Sequence, residues 1–176
     1  VRLEALAEHF LALGYKEGGD YHFEAKKLRA KHFEHDDPTL PKVFISELMT
    51  EEFSDSLQQK VKAMVAQVDA AAVKADNFLY SGTHWQVSHA DYLELLEESE
   101  YAAWMAAFGF CANHFTVSVN YLPGFDSLEQ VNETLKQSGF TLNTSGGEIK
   151  GSPEVYLEQS STMANRVPVE FAYQTV

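Results

Sequence analysis

Apolar residues return every three or four positions at the start of the chain. Leu3, Leu6, Phe10 and Leu13 mark one helix face, and Gly14 follows where a left-handed terminus favours glycine. From Tyr15 to Glu34 the pattern turns to aromatics and charge. A strand or hairpin is predicted over 21–33 after a Gly18-Gly19-Asp20 turn signal, and beyond the breakers Asp36-Asp37-Pro38 and Pro41 a strand over 42–48. Between Glu51 and Gly109 the period is helical. Leu57, Val61, Met64, Val65 and Val68 form one stripe, residues 77–87 read as a loop, and Ser88-His89-Ala90-Asp91 reads as a capping box. The helix it opens carries Leu95, Leu96, Trp104, Met105 and Phe108 toward a core and closes at Gly109.

Residues 112–121 alternate strictly. On a strand, His114, Thr116, Ser118 and Asn120 share one face while Phe115, Val117, Val119 and Tyr121 share the other. An imidazole followed by small hydroxyl and amide groups suits a cavity wall better than a solvated surface. Pro123-Gly124 makes a turn, and Asp126 with Glu129 caps a helix bearing Leu128, Val131 and Leu135 that ends at Ser138-Gly139. A Gly-rich turn region over 143–153 then leads to strands over 155–163 and 167–172.

One phrase occurs twice: an amphipathic helix, Gly at its end, an aromatic, then strands. Its two glycines, Gly14 and Gly139, lie 125 positions apart. This predicts an α+β chain of two βαβββ modules. Residues 1–50 form the first, without its first strand; 51–110 are a helical insertion; 111–176 form the second, without its last strand. The chain starts inside a helical pattern and stops in strand-like sequence over 170–176, so it reads as a piece of a larger domain.

Charge narrows the partners. With 13 basic against 26 acidic residues, the net charge of -13 repels phosphate backbones and anionic membranes. Nucleic acid and membrane are therefore excluded as expected partners, and no run approaches a membrane span. A lone cysteine, Cys111, rules out an internal disulfide and fits a reducing, cytoplasmic location. Oligomeric state stays open.

His114 is the leading metal-ligand candidate, since neutral imidazole on a rigid strand is well suited to that role; a core histidine bonded to a hydroxyl is the plain alternative. Glu47 alternates with Val43 and Ile45, so its carboxylate lies on a largely apolar face unless the strand ends there and releases it to solvent. His32, His35, Asp36 and Asp37 lead into a turn and read as solvated; His84 and His89 flank Trp85 in a loop, which permits function, though His89 falls in the first turn of a helix; His22 and His9 lack evident partners. The 143–153 stretch lacks the Gly-Lys-Ser/Thr of a phosphate loop, leaving Lys150 to meet an anionic group. Gln159 and Ser161 alternate on the next strand, facing either the cavity of His114 or solvent.

Several long segments taken together resemble the 2-oxoadipate dioxygenase/decarboxylase family: Ala-Asn-His-Phe-Thr-Val-Ser-Val-Asn at 112–120, Glu-Ser-Glu-Tyr-Ala-Ala-Trp-Met-Ala-Ala-Phe-Gly-Phe at 98–110, Lys-Val-Phe-Ile-Ser-Glu-Leu at 42–48, Gly-Gly-Glu-Ile-Lys-Gly-Ser-Pro at 146–153 and Leu-Glu-Gln-Ser-Ser-Thr-Met-Ala at 157–164. The resemblance implies a vicinal-oxygen-chelate, glyoxalase-like fold. It also implies Fe(II) held by two His and one Glu, and conversion of 2-oxoadipate with O2 to 2-hydroxyglutarate and CO2, a step of lysine degradation. His114 matches the second His. The first His and a substrate-binding Arg belong to a strand expected before Val1, and the Glu to a strand expected after Val176. Hydrogen bonds to the His114 ring would come from groups such as Ser118 or Gln159. Two other readings are kept: a non-catalytic binding module on a glyoxalase-like scaffold, and a metal-dependent isomerase or lyase using Glu47 with His114.

Overall fold

The spacing of Leu3 and Ala7 places both on the buried face of α1 (Leu3–Leu11), which stops as predicted at Gly14, with φ +94°. The computed structural model describes residues 1–172 and the backbone of Gln174 and Thr175; Tyr173 and Val176, in the strand-like end, lie outside the described residues. After α1 come β1 (Lys16–Phe23), β2 (Leu28–Glu34) and β3 (Val43–Leu48), an antiparallel sheet in the order β1-β2-β3. Phe33 and Ile45 pack with Leu3, Ala7 and Tyr15 to form its core under α1.

Gly18 and Gly19 do not make the hairpin turn. They lie inside β1, at a bulge between Glu17 and Gly19, and a Cβ on Gly18 would stand 2.2 Å from Nε2 of His32. Gly18 suits this place because the His32 ring lies against its Cα, while a Cβ on Gly19 would stand 3.2 Å from the same ring. The turn is made instead by a 3-10 segment, Glu24–Lys26, closed by Lys27 in the left-handed region.

The central residues are helical, as the stripe predicts: α2 (Asp55–Val65), α3 (His89–Glu98) and α4 (Glu100–Phe108). The last two replace the single helix expected up to Gly109. Ser99 adopts an extended conformation and caps α4 by accepting from Ala102 N–H. The core positions of α4 are Ala102, Ala103 and Ala106 rather than Trp104 or Phe108, since a helix apolar on every side carries no periodic mark of its buried face. The loop between α2 and α3 fills the core from outside the helices: Phe78 is fully buried, and Trp85 donates from its indole to the Ala106 carbonyl at 3.0 Å.

The chain forms two compact units, one of Val1–Ala112 with Pro168–Val176 and one of Asn113–Val167. In the second, the strand expected over 112–121 is absent. Residues 113–118 are irregular and exposed, and Val119–Tyr121 is a 3-10 turn. Alternation alone makes no ladder: among the described residues no strand lies alongside to take these backbone groups. Helix α5 (Leu128–Gln137) is capped by Ser127 rather than by Asp126 with Glu129. Ser127 accepts from Gln130 N–H, and Gln130 Oε1 accepts from Asp126 N–H at 2.8 Å.

The strand expected over 155–163 contracts to β5 (Leu157–Gln159), paired with β4 (Lys150–Ser152). The one expected over 167–172 contracts to β6 (Glu170–Phe171), which belongs to the first unit and pairs with β7 (Gln174–Thr175). Ala172 N–H there donates to Val87 O at 2.9 Å.

The repeated phrase carries matching hydrogen bonds. Tyr15 N–H reaches Phe10 O at 3.1 Å past Gly14, and Phe140 N–H reaches Leu135 O at 3.0 Å past Gly139. Both hairpins close on a 3-10 turn ended by a left-handed residue, Lys27 in one and Tyr156 in the other. Tyr21 faces Ala30 across the first hairpin as Lys150 faces Gln159 across the second.

Candidate functional site

Segment 113–118 puts His114 and Ser118 on the surface rather than in a cavity wall, and the His114 ring makes no hydrogen bond or ion pair among the described residues. Among these residues no group of three His, Cys, Asp or Glu side chains is placed to hold a metal ion. A facial triad needs two imidazoles and a carboxylate converging on one point. The side chains present supply at most one of them and do not by themselves fit an iron site.

Glu47 shares the α1 side of the sheet with Val43 and Ile45, as alternation predicts, but is neither loose nor solvated. Arg29 donates to its Oε2 from Nε at 2.8 Å, Arg2 approaches Oε1 at 3.1 Å, and Leu3 N–H adds a contact at 3.4 Å. Its oxygens are occupied in fastening α1 to β2 and β3. Hydrogen bonding to Glu47 is the main cause that pushes the Arg29 guanidinium above its ordinary pKa.

Lys150 and Gln159 are brought together. They are direct cross-strand partners on β4 and β5, so their side chains leave the same face of the hairpin. The other face carries Ser160, whose hydroxyl donates to Oδ1 of Asn132 on α5. Ser161 does not join them on a strand. β5 stops at Gln159, and the Ser161 carbonyl accepts from Asn143 N–H at 2.8 Å. Of the glycines of 143–153, Gly146 and Gly147 serve a tight turn, as expected, in which Gly147 N–H donates to Thr144 O at 3.0 Å, whereas Gly151 lies inside β4, where a Cβ would meet the Leu157 carbonyl oxygen at 2.0 Å.

Of the remaining histidines, all but His22 have structural partners among the described residues. His32 Nδ1 lies 2.8 Å from the Tyr21 hydroxyl, His35 Nδ1 accepts from Asp37 N–H, and His9 Nε2 reaches Val73 O. Ser81 Oγ bonds both His84 Nε2 and the Phe78 carbonyl, and His89 stacks on Tyr92. The Tyr21–His32 pair is not legible in the sequence, because the Gly18-Gly19 bulge beside it carries the same residues as a turn. Two clefts open in the first unit. One of about 270 Å³ lies between α2 and α3 and includes Lys60 and Asp91; another of about 200 Å³ lies beside Trp85 and Phe171. Neither is lined by a residue that the sequence singles out as a ligand. No helix among the described residues is long and apolar enough to cross a membrane.

Small antiparallel sheets and five α-helices among the described residues define an α+β protein. A protein from Ralstonia eutropha JMP134, provisionally placed in the glyoxalase superfamily, shares this fold. It has a TM-score of 0.77 at 22% identity, covering 100% of this chain and 62% of that one. The family model for 2-oxoadipate dioxygenase/decarboxylase matches residues 2–176, and the chain belongs to that family. It is similar to the Arabidopsis thaliana chloroplastic 2-oxoadipate dioxygenase/decarboxylase, 33% identical over 184 residues, covering 97% of this chain and 50% of that protein. It spans about half the length of the curated relatives it matches.

Two further solved structures match more closely. One is a Shewanella frigidimarina NCIMB 400 protein with a provisional hydrolase name, 62% identical with TM-score 0.96, covering 100% of this chain and 69% of that one. The other is the hydroxyglutarate synthase of Oryza sativa in complex with 2-oxoadipate, 34% identical with TM-score 0.84, covering 99% and 60%.

Proposed function

We propose that this chain is the part of an Fe(II)-dependent 2-oxoadipate dioxygenase/decarboxylase that supplies one iron ligand, His114, and part of the substrate-binding surface. The overall reaction balances without a further reductant: 2-oxoadipate and O2 become 2-hydroxyglutarate and CO2. The family match across residues 2–176 carries this reading. It requires a second His and a Glu from outside the described residues, which hold no ligand set of three. We read 1–50, without its first strand, and 111–176, without its last, as incomplete βαβββ modules of vicinal-oxygen-chelate type around a helical insertion, 51–110. The matched hydrogen bonds after Gly14 and Gly139 support this. The single cysteine fits a reducing compartment such as the cytoplasm.

The test supplies the purified polypeptide carrying this chain with Fe(II) and 2-oxoadipate, in air and without O2. Equal yields of 2-hydroxyglutarate and CO2 in air alone are expected; no product, or product without O2, overturns the reading. His114→Ala is expected to remove tight Fe(II) binding in an anaerobic titration, and unchanged binding and turnover would exclude His114 as a ligand. A non-catalytic binding module is the second reading, favoured by the missing ligand set among the described residues. It predicts 2-oxoadipate binding without product. The ion pairs of Glu47 with Arg29 and Arg2 count against its use as a base in an isomerase or lyase.

A further inference from the structure

The two hairpins share one backbone but present different chemistry on equivalent faces. In the first, Tyr21 opposes Ala30 and Phe23 opposes Leu28, so the face turned away from α1 is aromatic and aliphatic. In the second, Lys150 opposes Gln159 and Ser152 opposes Leu157 in the same register. A cation and an amide have replaced the aromatic and the small residue at one rung. This rung faces away from α5, because Ser160, one position past Gln159, points to Asn132 on that helix.

Lys150 is half-buried, and no carboxylate answers it among the described residues of the unit. Glu148, two positions before it, is taken by Lys136 at 2.8 Å. The Glu154 carboxyl is held below its ordinary pKa by the Ser152 hydroxyl first. Glu158 opposes Gly151 and so leaves the opposite face of the hairpin. In a chain with twice as many acidic as basic residues, a half-buried lysine with no ion pair among the described residues keeps its ammonium protons for an anion. The neighbouring Gln159 amide supplies a second donor on the same face.

We propose that Lys150 and Gln159 form a seat for a carboxylate group, and that they select a dicarboxylic over a monocarboxylic 2-oxo acid. The choice of a dicarboxylate rests on the function proposed above; the existence of an anion seat does not. Lys150 donates its ammonium protons to one carboxylate oxygen and the Gln159 amide donates to the other. Neither residue exchanges a proton with the substrate, so both are positioning residues.

The first measurement needs no turnover. Adipate, which has both carboxylates and no oxo group, is titrated into the chain while the Lys150 side-chain and Gln159 amide resonances are followed by NMR. Saturable shifts are expected with a Kd on the order of 10 mM, as suits one charge-assisted contact at a partly open site. Shifts retained in Lys150→Arg and lost in Lys150→Met are also expected. Unchanged resonances in the wild type, or equal binding by Lys150→Met, overturn the proposal.

The second measurement uses the active polypeptide. Lys150→Met is expected to raise KM for 2-oxoadipate at least tenfold with a smaller change in kcat, and to leave KM for 2-oxohexanoate unchanged. Equal effects on both substrates overturn the specificity role. Turnover by the wild type with no adipate response refutes the seat alone, whereas an adipate response without O2-dependent product refutes the dioxygenase reading alone.

Discussion

Arg29 and Glu47 stand directly opposite each other on β2 and β3, and the guanidinium donates to Glu47 Oε2 from both Nε and Nη2. The same Nη2 reaches Glu4 of α1 at 2.9 Å, so one side chain ties two strands to a helix. The Glu47 side chain is 18% exposed and that of Glu4 is 55% exposed, which sets their weights. Glu47→Gln leaves a half-shielded guanidinium short of its main partner and is expected to cost about 1–2 kcal/mol, while Glu4→Gln costs less than about 0.5 kcal/mol. Urea unfolding of the two variants checks this. Equal losses would mean that burial does not rank the pair.

Two glycines are required for different reasons, and replacement separates them. Gly109 has φ +66°, and a Cβ there would meet the Gly82 carbonyl oxygen at 2.2 Å; that backbone is held by reciprocal hydrogen bonds between Gly82 and Phe110. Gly109→Ala therefore combines strain with a clash that nothing can relieve, and is expected to lose at least about 3 kcal/mol. Gly18 meets only the His32 ring, a side chain that can move. Gly18→Ala is expected to cost about 1–3 kcal/mol in the wild type and less than half as much in a His32→Ala background. Thermal unfolding of the single and double variants decides this, and an undiminished penalty without the ring would place the obstruction elsewhere.

These cases show where the sequence is legible. Helix α1 with its glycine stop, β3, α2 and the Ser88 cap are written in residues within a turn or two of one another, and each is found in place. The strand expected around His114 depends on a neighbour far away in sequence, and its alternating pattern says nothing of whether that neighbour is present. Helix α4 hid its core face because small alanines, not the large residues, are buried. Of the candidate site, the alternation of Gln159 with Ser161 is legible, but Lys150 falls in a stretch that reads as a turn, so its pairing with Gln159 is not, and Ser161 falls away because the strand stops at Gln159. The engagement of Glu47 was not readable, since it needs Arg29 and Arg2 brought in from other elements.

The cap of α3 gives the first unit an acid-sensitive contact. Ser88 Oγ donates to Asp91 Oδ2 at 2.7 Å and accepts from Asp91 N–H, while Lys60 reaches Oδ1 at 3.1 Å. The Ser88 hydroxyl first, and Lys60 next, hold the Asp91 carboxyl below its ordinary pKa. A carboxyl depressed in the folded state binds its proton more weakly than in the unfolded chain. Its contribution is therefore present above the ordinary Asp value, roughly pH 4, and is lost as pH falls through the lower folded value. Asp91→Asn is expected to flatten the stability profile below about pH 4 and to change stability least in strong acid. Ser88→Ala should lower stability by about 1 kcal/mol at neutral pH through the lost cap. Denaturant midpoints from pH 2 to 7 test both, and an acid limb as steep in Asp91→Asn as in the wild type would assign it to other carboxyls.

Asn132 is the buried polar side chain of the second unit, and it is only half satisfied. Its Oδ1 accepts from the Ser160 hydroxyl, whereas its Nδ2 is buried with no hydrogen-bond partner among the described residues. Removing one partner and removing the whole amide then have opposite consequences. Ser160→Ala leaves the carbonyl oxygen of the amide buried and unmatched as well, at a cost of about 1–2 kcal/mol. Asn132→Leu, close in volume, removes the unmatched amide nitrogen and places hydrocarbon beside half-buried Leu128, Val131 and Leu135, while the Ser160 hydroxyl that loses its acceptor is only part-buried, so stability is expected to hold or rise by up to about 1 kcal/mol. In the Asn132→Leu background, Ser160→Ala should cost less than half of its penalty in the wild type, which a double-mutant cycle in urea measures directly. A large loss for Asn132→Leu would show instead that the free amide nitrogen meets a partner on this face of α5.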